Sequence, residues 1–194
     1  MILYGSHTSP YVRRLRLWLD EQKLDYEYIH IDIFSPEGRA TLSQHNPTKK
    51  IPFLLDGEET VVDSGVIYRY LSEKCKLPKL SWQQENTLTT INAANDSLIE
   101  LLLCQRSGFN TDDDKLFFKL QKERVATILS LLNEQSVKFK DSDCSYIEIS
   151  LYCLLDWILF RNLWDLQPYS ALLAFHHKVS ETLPVAKTDP RNYA

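Results

Sequence analysis

Strand-like and helix-like segments alternate over the first 76 residues of this 194-residue chain, and beyond them only the helical period persists. That change of period predicts a small α/β domain followed by an all-helical one. "ILYG" (2–5) reads as a short strand. Residues 10–23 read as a helix with Val12, Leu15, Trp18 and Leu19 on one face. "YEYIHIDI" (26–33) is rich in β-branched and aromatic residues and reads as a strand. Pro36 starts a short helix to about Leu42. "PFLLDGEETVVD" (52–63) gives two strands around an Asp56-Gly57 turn. Ser64 to Cys75 is helical, with Val66, Ile67, Tyr70 and Leu71 spaced to face a sheet. The expected order is β-α-β-α-β-β-α over residues 1–76.

"LPKLSW" (77–82) breaks the pattern and reads as a linker. The second domain is expected over 83–194. Leu88, Ile91, Ala94 and Leu98 form one helical stripe; Leu116, Phe117, Leu120, Ile128, Leu131 and Leu132 form another. "SGFNTDDD" (107–114) separates them. Twelve of the fifteen residues of 146–160 are apolar or aromatic. That run is shorter than the roughly 20 residues a membrane span needs, and Glu148 and Asp156 interrupt it, so a buried core helix is expected. Ser145 and Glu148 form an S-x-x-E capping box before it, with Cys144 and Ile149 placed as a hydrophobic staple. A last helix is expected from Pro168 to about Thr182, with "PVAKTDPRNYA" as a tail.

A formal net charge of −4 and a pI of about 5.7 leave no overall basic footprint for nucleic acid. Arg13, Arg14 and Arg16 read as a solvated helix face. Cys75, Cys104, Cys144 and Cys153 form no C-x-x-C pair and no zinc-ligand spacing with histidine. They fit reduced thiols of a cytoplasmic protein, and no metal site is expected.

The chemistry is concentrated in "SHTSPYVRRLRLWL" (6–19). Ser9 precedes Pro10, so it favours the extended conformation that a helix N-cap needs. A cap with no further duty is one reading. The other is an anion site, because free amides and the helix dipole converge at such a start. A thiol with a pKa of about 8.5 becomes mostly ionised near pH 7 when that pKa falls by about two units, worth about 2.7 kcal/mol. A hydroxyl hydrogen bond to a charged partner contributes roughly 1.5–3 kcal/mol. A helix terminus adds about 0.3–1 kcal/mol, or up to about 2 when partly buried. A serine here can therefore hold another molecule's sulfur as thiolate without attacking anything itself. His7 reads as a loop residue.

"NPTKKIPFLLDGEETVVDSGVIYRYL" (46–71) carries the second set of candidates. The residues leave open whether the bond before Pro52 is cis or trans. A cis bond would turn Ile51 outward, offering its N–H and C=O to an extended ligand. Lys50 is placed to meet a carboxylate. Asp63 or Ser64 caps the next helix; Ser64 can also donate to a carboxylate, and Asp63 can accept from an ammonium group. Together these are the needs of a small, zwitterionic, thiol-bearing peptide.

At these separations "SHTSPYVRRLRLWL", "NPTKKIPFLLDG" and "DSGVIYRYL" resemble the glutathione transferase superfamily. "SPY" resembles the active-site turn of its tau and omega classes. The resemblance implies a thioredoxin-like first domain with glutathione as co-substrate and no metal. It implies that Ser9 stabilises the glutathione thiolate and Lys50 approaches the glycine carboxylate. Ile51, beside a cis Pro52, would pair with the cysteinyl backbone, and Asp63 and Ser64 would hold the γ-glutamyl end. Asp63 stands where glutamate is commoner, which shortens its reach. The capping box resembles one that the family places before its central buried helix, usually with aspartate. The implied activity is conjugation of glutathione to a small hydrophobic electrophile, in a pocket using Tyr11 and apolar groups of the first long helices after the linker, with Phe109 as the candidate there. Glutathione-dependent reduction of disulfides or peroxides is the alternative, and a non-catalytic binding or regulatory protein of the same fold is a third. The resemblance also implies a homodimer.

Overall fold

The computed structural model describes residues 1–136 and 145–193. The chain divides into two compact units, Met1–Leu80 with Leu183–Ala194, and Ser81–Thr182.

The first unit holds β1 (Ile2–Gly5), α1 (Pro10–Glu21), β2 (Glu27–His30), α2 (Pro36–His45), β3 (Phe53–Asp56), β4 (Glu59–Val62) and α3 (Ser64–Lys74). The strands form one sheet in the order β2-β1-β3-β4. β1 runs parallel to β2, so the chain crosses over through α1, whereas β1–β3 and β3–β4 are antiparallel. The period of two along each strand separates the faces. Leu3, Leu54 and Val61 are register partners on one face; Tyr4, Phe53 and Val62 are partners on the other. Phe53 is fully buried in a cluster with Ile31 and Leu42, against which Tyr4, Ile51, Leu55 and Val62 pack. α1 lies over the opposite face, since a Cβ on Gly5 would stand 2.3 Å from a Val12 methyl.

The element order agrees with the sequence reading, and several details are corrected. β2 ends at His30, because Asp32 turns the chain, accepting at its carbonyl from Ser35 N–H (3.2 Å) and Ser35 Oγ (3.0 Å). α2 runs on to His45. Pro52 precedes β3 and lies outside it. On α3 the buried face is Ile67, Tyr68 and Leu71. Val66 faces solvent, and Tyr70 turns its hydroxyl to Asp56 (3.0 Å), which also pairs with Lys74. Arg13 and Arg14 are buried, contrary to a solvated face. Arg13 Nε donates to Thr188 Oγ1 (3.2 Å) and Arg13 Nη2 to the Val185 carbonyl (3.5 Å). These bonds explain why the segment after Leu183 belongs with the first unit, whereas a second domain reaching residue 194 and ending in a tail was expected. It forms two short 3₁₀ turns, Val185–Thr188 and Pro190–Tyr193.

The second unit contains α4 (Trp82–Arg106), α5 (Leu116–Ser136), α6 (Tyr146–Arg161) and α7 (Ser170–Thr182). α4 begins inside the expected linker, because Ser81 and Gln84 close a capping box. The α5 stripe shifts. Phe118, Val125, Ile128, Leu129 and Leu132 are buried, and Leu116, Phe117, Leu120 and Leu131 are exposed. α6 is the core helix, buried at every residue from Tyr146 to Ile158. Its capping box is formed by Ser145 N–H donating to Glu148 Oε2 (2.8 Å) and Glu148 N–H donating to Ser145 Oγ (3.4 Å). Cys144, the other half of the expected staple, lies outside the described residues. Buried Asp156 bonds His176 Nε2 (2.9 Å) on α7. α7 starts two residues after Pro168, where Asn133 Oδ1 accepts from Ala171 and Leu172 N–H. Among the described residues no helix is long and apolar enough to cross a membrane, and no cluster of metal-ligating side chains occurs.

Candidate functional site

Sheet register determines which loops of the first unit are neighbours. Tyr4 near the end of β1, Phe53 at the start of β3 and Val62 at the end of β4 are paired across the sheet. The turn to α1, the Ile51–Pro52 bond and the Asp63–Ser64 step therefore leave the sheet at one end. The candidates Ser9, Lys50, Ile51, Pro52, Asp63 and Ser64 all lie in these three connections.

Ser9 sits in the extended conformation (φ −83°, ψ 123°) and caps α1, its Oγ accepting a long bond from Val12 N–H (3.4 Å). Its own N–H closes a turn on the Ser6 carbonyl (3.1 Å). Ser9 is half-buried, and among the described residues no acceptor takes its hydroxyl proton. The group is thus fixed as an acceptor and open as a donor.

The peptide bond between Ile51 and Pro52 is cis. Ile51 lies outside the sheet ladder, which starts at Phe53. The loop before it is organised by Asn46, which sequence reasoning passed over. This buried amide accepts at Oδ1 from Thr48 N–H (2.9 Å) and Thr48 Oγ1 (2.8 Å), and its Nδ2 donates to the Lys50 carbonyl (2.7 Å). The asparagine-proline pair after a helix was the available signal, since such side chains bond backbone two residues on. Lys50 is exposed, and its ammonium has no partner among the described residues.

Asp63 caps α3, with Oδ1 accepting from Gly65 N–H (2.8 Å) and Val66 N–H (3.1 Å). Its φ of 73° is unusual for a residue with a Cβ and costs on the order of 1–3 kcal/mol. Such strain concentrates where a backbone group must face a ligand. Ser64 is buried, and its hydroxyl accepts from Arg14 Nη2 (2.5 Å), tying the start of α3 to α1. The Arg14 guanidinium also lies over the Tyr11 ring, 4.6 Å from its centroid. Tyr11 is half-buried in the first turn of α1. Phe109 is exposed in the α4–α5 connection and belongs to the second unit.

His7 is more than a loop residue. Its ring stacks on His30 (4.4 Å between centroids) and on Tyr193 (3.8 Å), and Arg16 Nη1 lies 3.4 Å from its Nδ1. Arg16 also lies over Tyr28, whose hydroxyl donates to the Gly5 carbonyl (2.9 Å). Burial, then the neighbouring His30 and Arg16, lower the His7 pKa from 6.5 to about 4. Burial pushes Tyr28 up to about 12. The unfolded chain takes up the His7 proton near pH 6.5, whereas the folded chain refuses it until about pH 4. His7 therefore favours the folded state fully above the upper value and progressively less as pH falls through that window. The urea midpoint of the protein should drop more between about pH 7 and about pH 4.5 than that of His7→Phe. Parallel profiles would remove His7 from the acid response.

The arrangement defines a thioredoxin-like α/β unit joined to an all-helical unit, with three sheet-end loops gathered as a candidate ligand site. Residues 3–79 match the family described as glutathione S-transferase, N-terminal domain. The chain is 28% identical to a probable maleylacetoacetate isomerase of Caenorhabditis elegans over 94% of this chain and 87% of that one. It is 36% identical to glutathione S-transferase 3 of Zea mays over 37% of this chain, a match that spans only 33% of the maize protein. The fold is shared with a glutathione S-transferase from Methylobacillus flagellatus solved with GSH bound, at a TM-score of 0.84 and 22% identity, covering 97% of this chain and 98% of that one. The first unit thus matches the glutathione S-transferase N-terminal domain family, and the chain shares its fold with solved glutathione S-transferases.

Proposed function

We propose that the first unit binds glutathione and that the protein conjugates it, through a sulfur held as thiolate, to a small hydrophobic electrophile, forming a thioether as a leaving group departs or a proton is taken up. The observation that carries this reading is the Ser9 hydroxyl, held at the start of α1 with its proton uncommitted. In this reading the hydroxyl and the helix amides stabilise the thiolate, so the serine acts as a donor and needs no base. The Lys50 ammonium, without a partner among the described residues, takes the glycine carboxylate, and the Ile51 backbone pairs with the cysteinyl residue beside cis-Pro52. The γ-glutamyl end lies at the start of α3, with Asp63 for its ammonium and Ser64 for its carboxylate. Tyr11, in the first turn of α1, is proposed to meet the electrophile. Cytoplasmic location and a homodimer belong to the same reading.

Likeness over nearly the whole chain to a probable maleylacetoacetate isomerase favours a second reaction at the same site. Reversible addition to a conjugated cis double bond, rotation and loss of the sulfur would isomerise the substrate and consume no glutathione. Two assays separate the readings. With an aryl halide, a transferase depletes glutathione as thioether appears. With a cis-enone, an isomerase converts the substrate at constant glutathione. No retention on immobilised glutathione, together with inactivity in both assays, would remove both.

A further inference from the structure

The His7 imidazole lies between two rings. His30 and Tyr193 are both near parallel to it, at 11° and 4°, with centroids 4.4 and 3.8 Å away. Two coplanar rings at such spacings would overlap on a single face, so they occupy opposite faces. His7 is the second residue of the turn that Ser9 closes through its N–H on the Ser6 carbonyl. His7 N–H also meets His30 Nδ1 (3.4 Å), so backbone and side chain of that turn position are both held.

Tyr193 is delivered by a segment that α1 anchors. Arg13 bonds Thr188 and Val185, and Arg16 Nη2 donates to the Lys187 carbonyl (3.5 Å). Within the segment, Asn192 Nδ2 donates to the Ala186 carbonyl (3.0 Å). Both arginines rise from α1, the helix that Ser9 caps. Tyr193 itself is 48% exposed, so its ring does little for the core. Its stacking contact is with one residue of the Ser9 turn.

We propose that Tyr193 is a positioning residue for the Ser9 hydroxyl, acting through the stacked His7 ring. A turn tip is ordinarily mobile. A donor that must meet a developing or resting anion works best when its location is already set. The 185–193 segment supplies that constraint from outside the turn. The catalytic consequence rests on the proposed thiolate role of Ser9; the constraint on the turn does not.

The test compares the full-length protein with Tyr193→Ala and Tyr193→Phe. In the ligand-free state, amide hydrogen exchange over residues 5–10 should quicken about fivefold in the alanine variant and stay near wild type in the phenylalanine variant, with the β3–β4 hairpin unchanged in both. With glutathione, the bound-thiol pKa should rise by about 0.5–1 unit in Tyr193→Ala, so kcat/KM with an aryl halide near pH 6.5 falls about three- to ten-fold. Tyr193→Phe should remain within about twofold of wild type, because the stack survives. Unchanged exchange in the alanine variant overturns the positioning role. So does an alanine-like phenylalanine variant, which would assign the effect to the hydroxyl. Quickened exchange with an unshifted thiol pKa overturns the link to the reaction. A wild type that does not lower the thiol pKa refutes the thiolate reading of Ser9, and the exchange arm still decides whether Tyr193 holds the turn.

Discussion

Replacing Ser9 by alanine should raise the pKa of bound glutathione by about one to two units and lower kcat/KM near pH 6.5 by about ten- to a hundredfold. The hydroxyl sits at the start of α1, and among the described residues no acceptor takes its proton. Losing a hydrogen bond to a charged sulfur removes roughly 1.5–3 kcal/mol. The helix amides remain, so part of the effect of the terminus persists. Cap loss should destabilise the fold only slightly, at the low end of about 0.5–2 kcal/mol, because Val12 N–H lies 3.4 Å from the oxygen. Titrating the thiolate absorbance of bound glutathione separates the two effects, since the pKa shift does not depend on the fraction folded. Equal pKa values in both proteins would leave Ser9 a cap and nothing more.

Gly38→Ala should destabilise the protein by about 3 kcal/mol, at the upper end of ordinary overpacking. A Cβ there would stand 1.9 Å from the Asp32 carbonyl oxygen and 2.9 Å from an Ile31 methyl. The carbonyl cannot easily retreat, because it accepts from both Ser35 N–H and Ser35 Oγ. Gly38 N–H in turn bonds Ser35 Oγ (3.0 Å), so the start of α2 is fixed from both sides. Alanine would favour the helix by about 1 kcal/mol, too little to offset the clash. The melting temperature should fall by on the order of 10 °C. A change within about 2 °C would mean that the loop from Ile31 to Ser35 gives way freely.

Local chemistry made the caps legible in advance. Ser9, Ser145 and Asp63 each bond backbone within three residues, so the pattern that predicts them also contains their partners. The order of elements was readable for the same reason, since the Asp56-Gly57 turn and the changes of period are local signals, whereas the order of strands in the sheet came only from the structure. Arg13 and Arg14 were misjudged because their partners lie 175 and 50 residues further along, at Thr188 and Ser64. No window around an arginine distinguishes a solvated face from one that a remote segment will cover. The face of α3 failed more narrowly. Val66 and Tyr70 share the helical period, but Tyr68 takes the buried place opposite Trp18, and that choice is made by α1. Asn46 and Asp63 show the intermediate case. Their side-chain bonds are local, but the positive φ at Asp63 has no mark in the residue types around it.

The return of residues 183–193 to the first unit bears on biosynthesis. On a translating ribosome the sheet and its three helices can emerge and collapse early, but the groups that cover Arg13 and the ring that meets His7 do not yet exist. At roughly 5–20 residues per second the interval before they appear is on the order of ten seconds. Throughout it the nascent sheet waits with a guanidinium-lined flank open to water and to chaperones, and closure comes only after the whole intervening helical unit has been made.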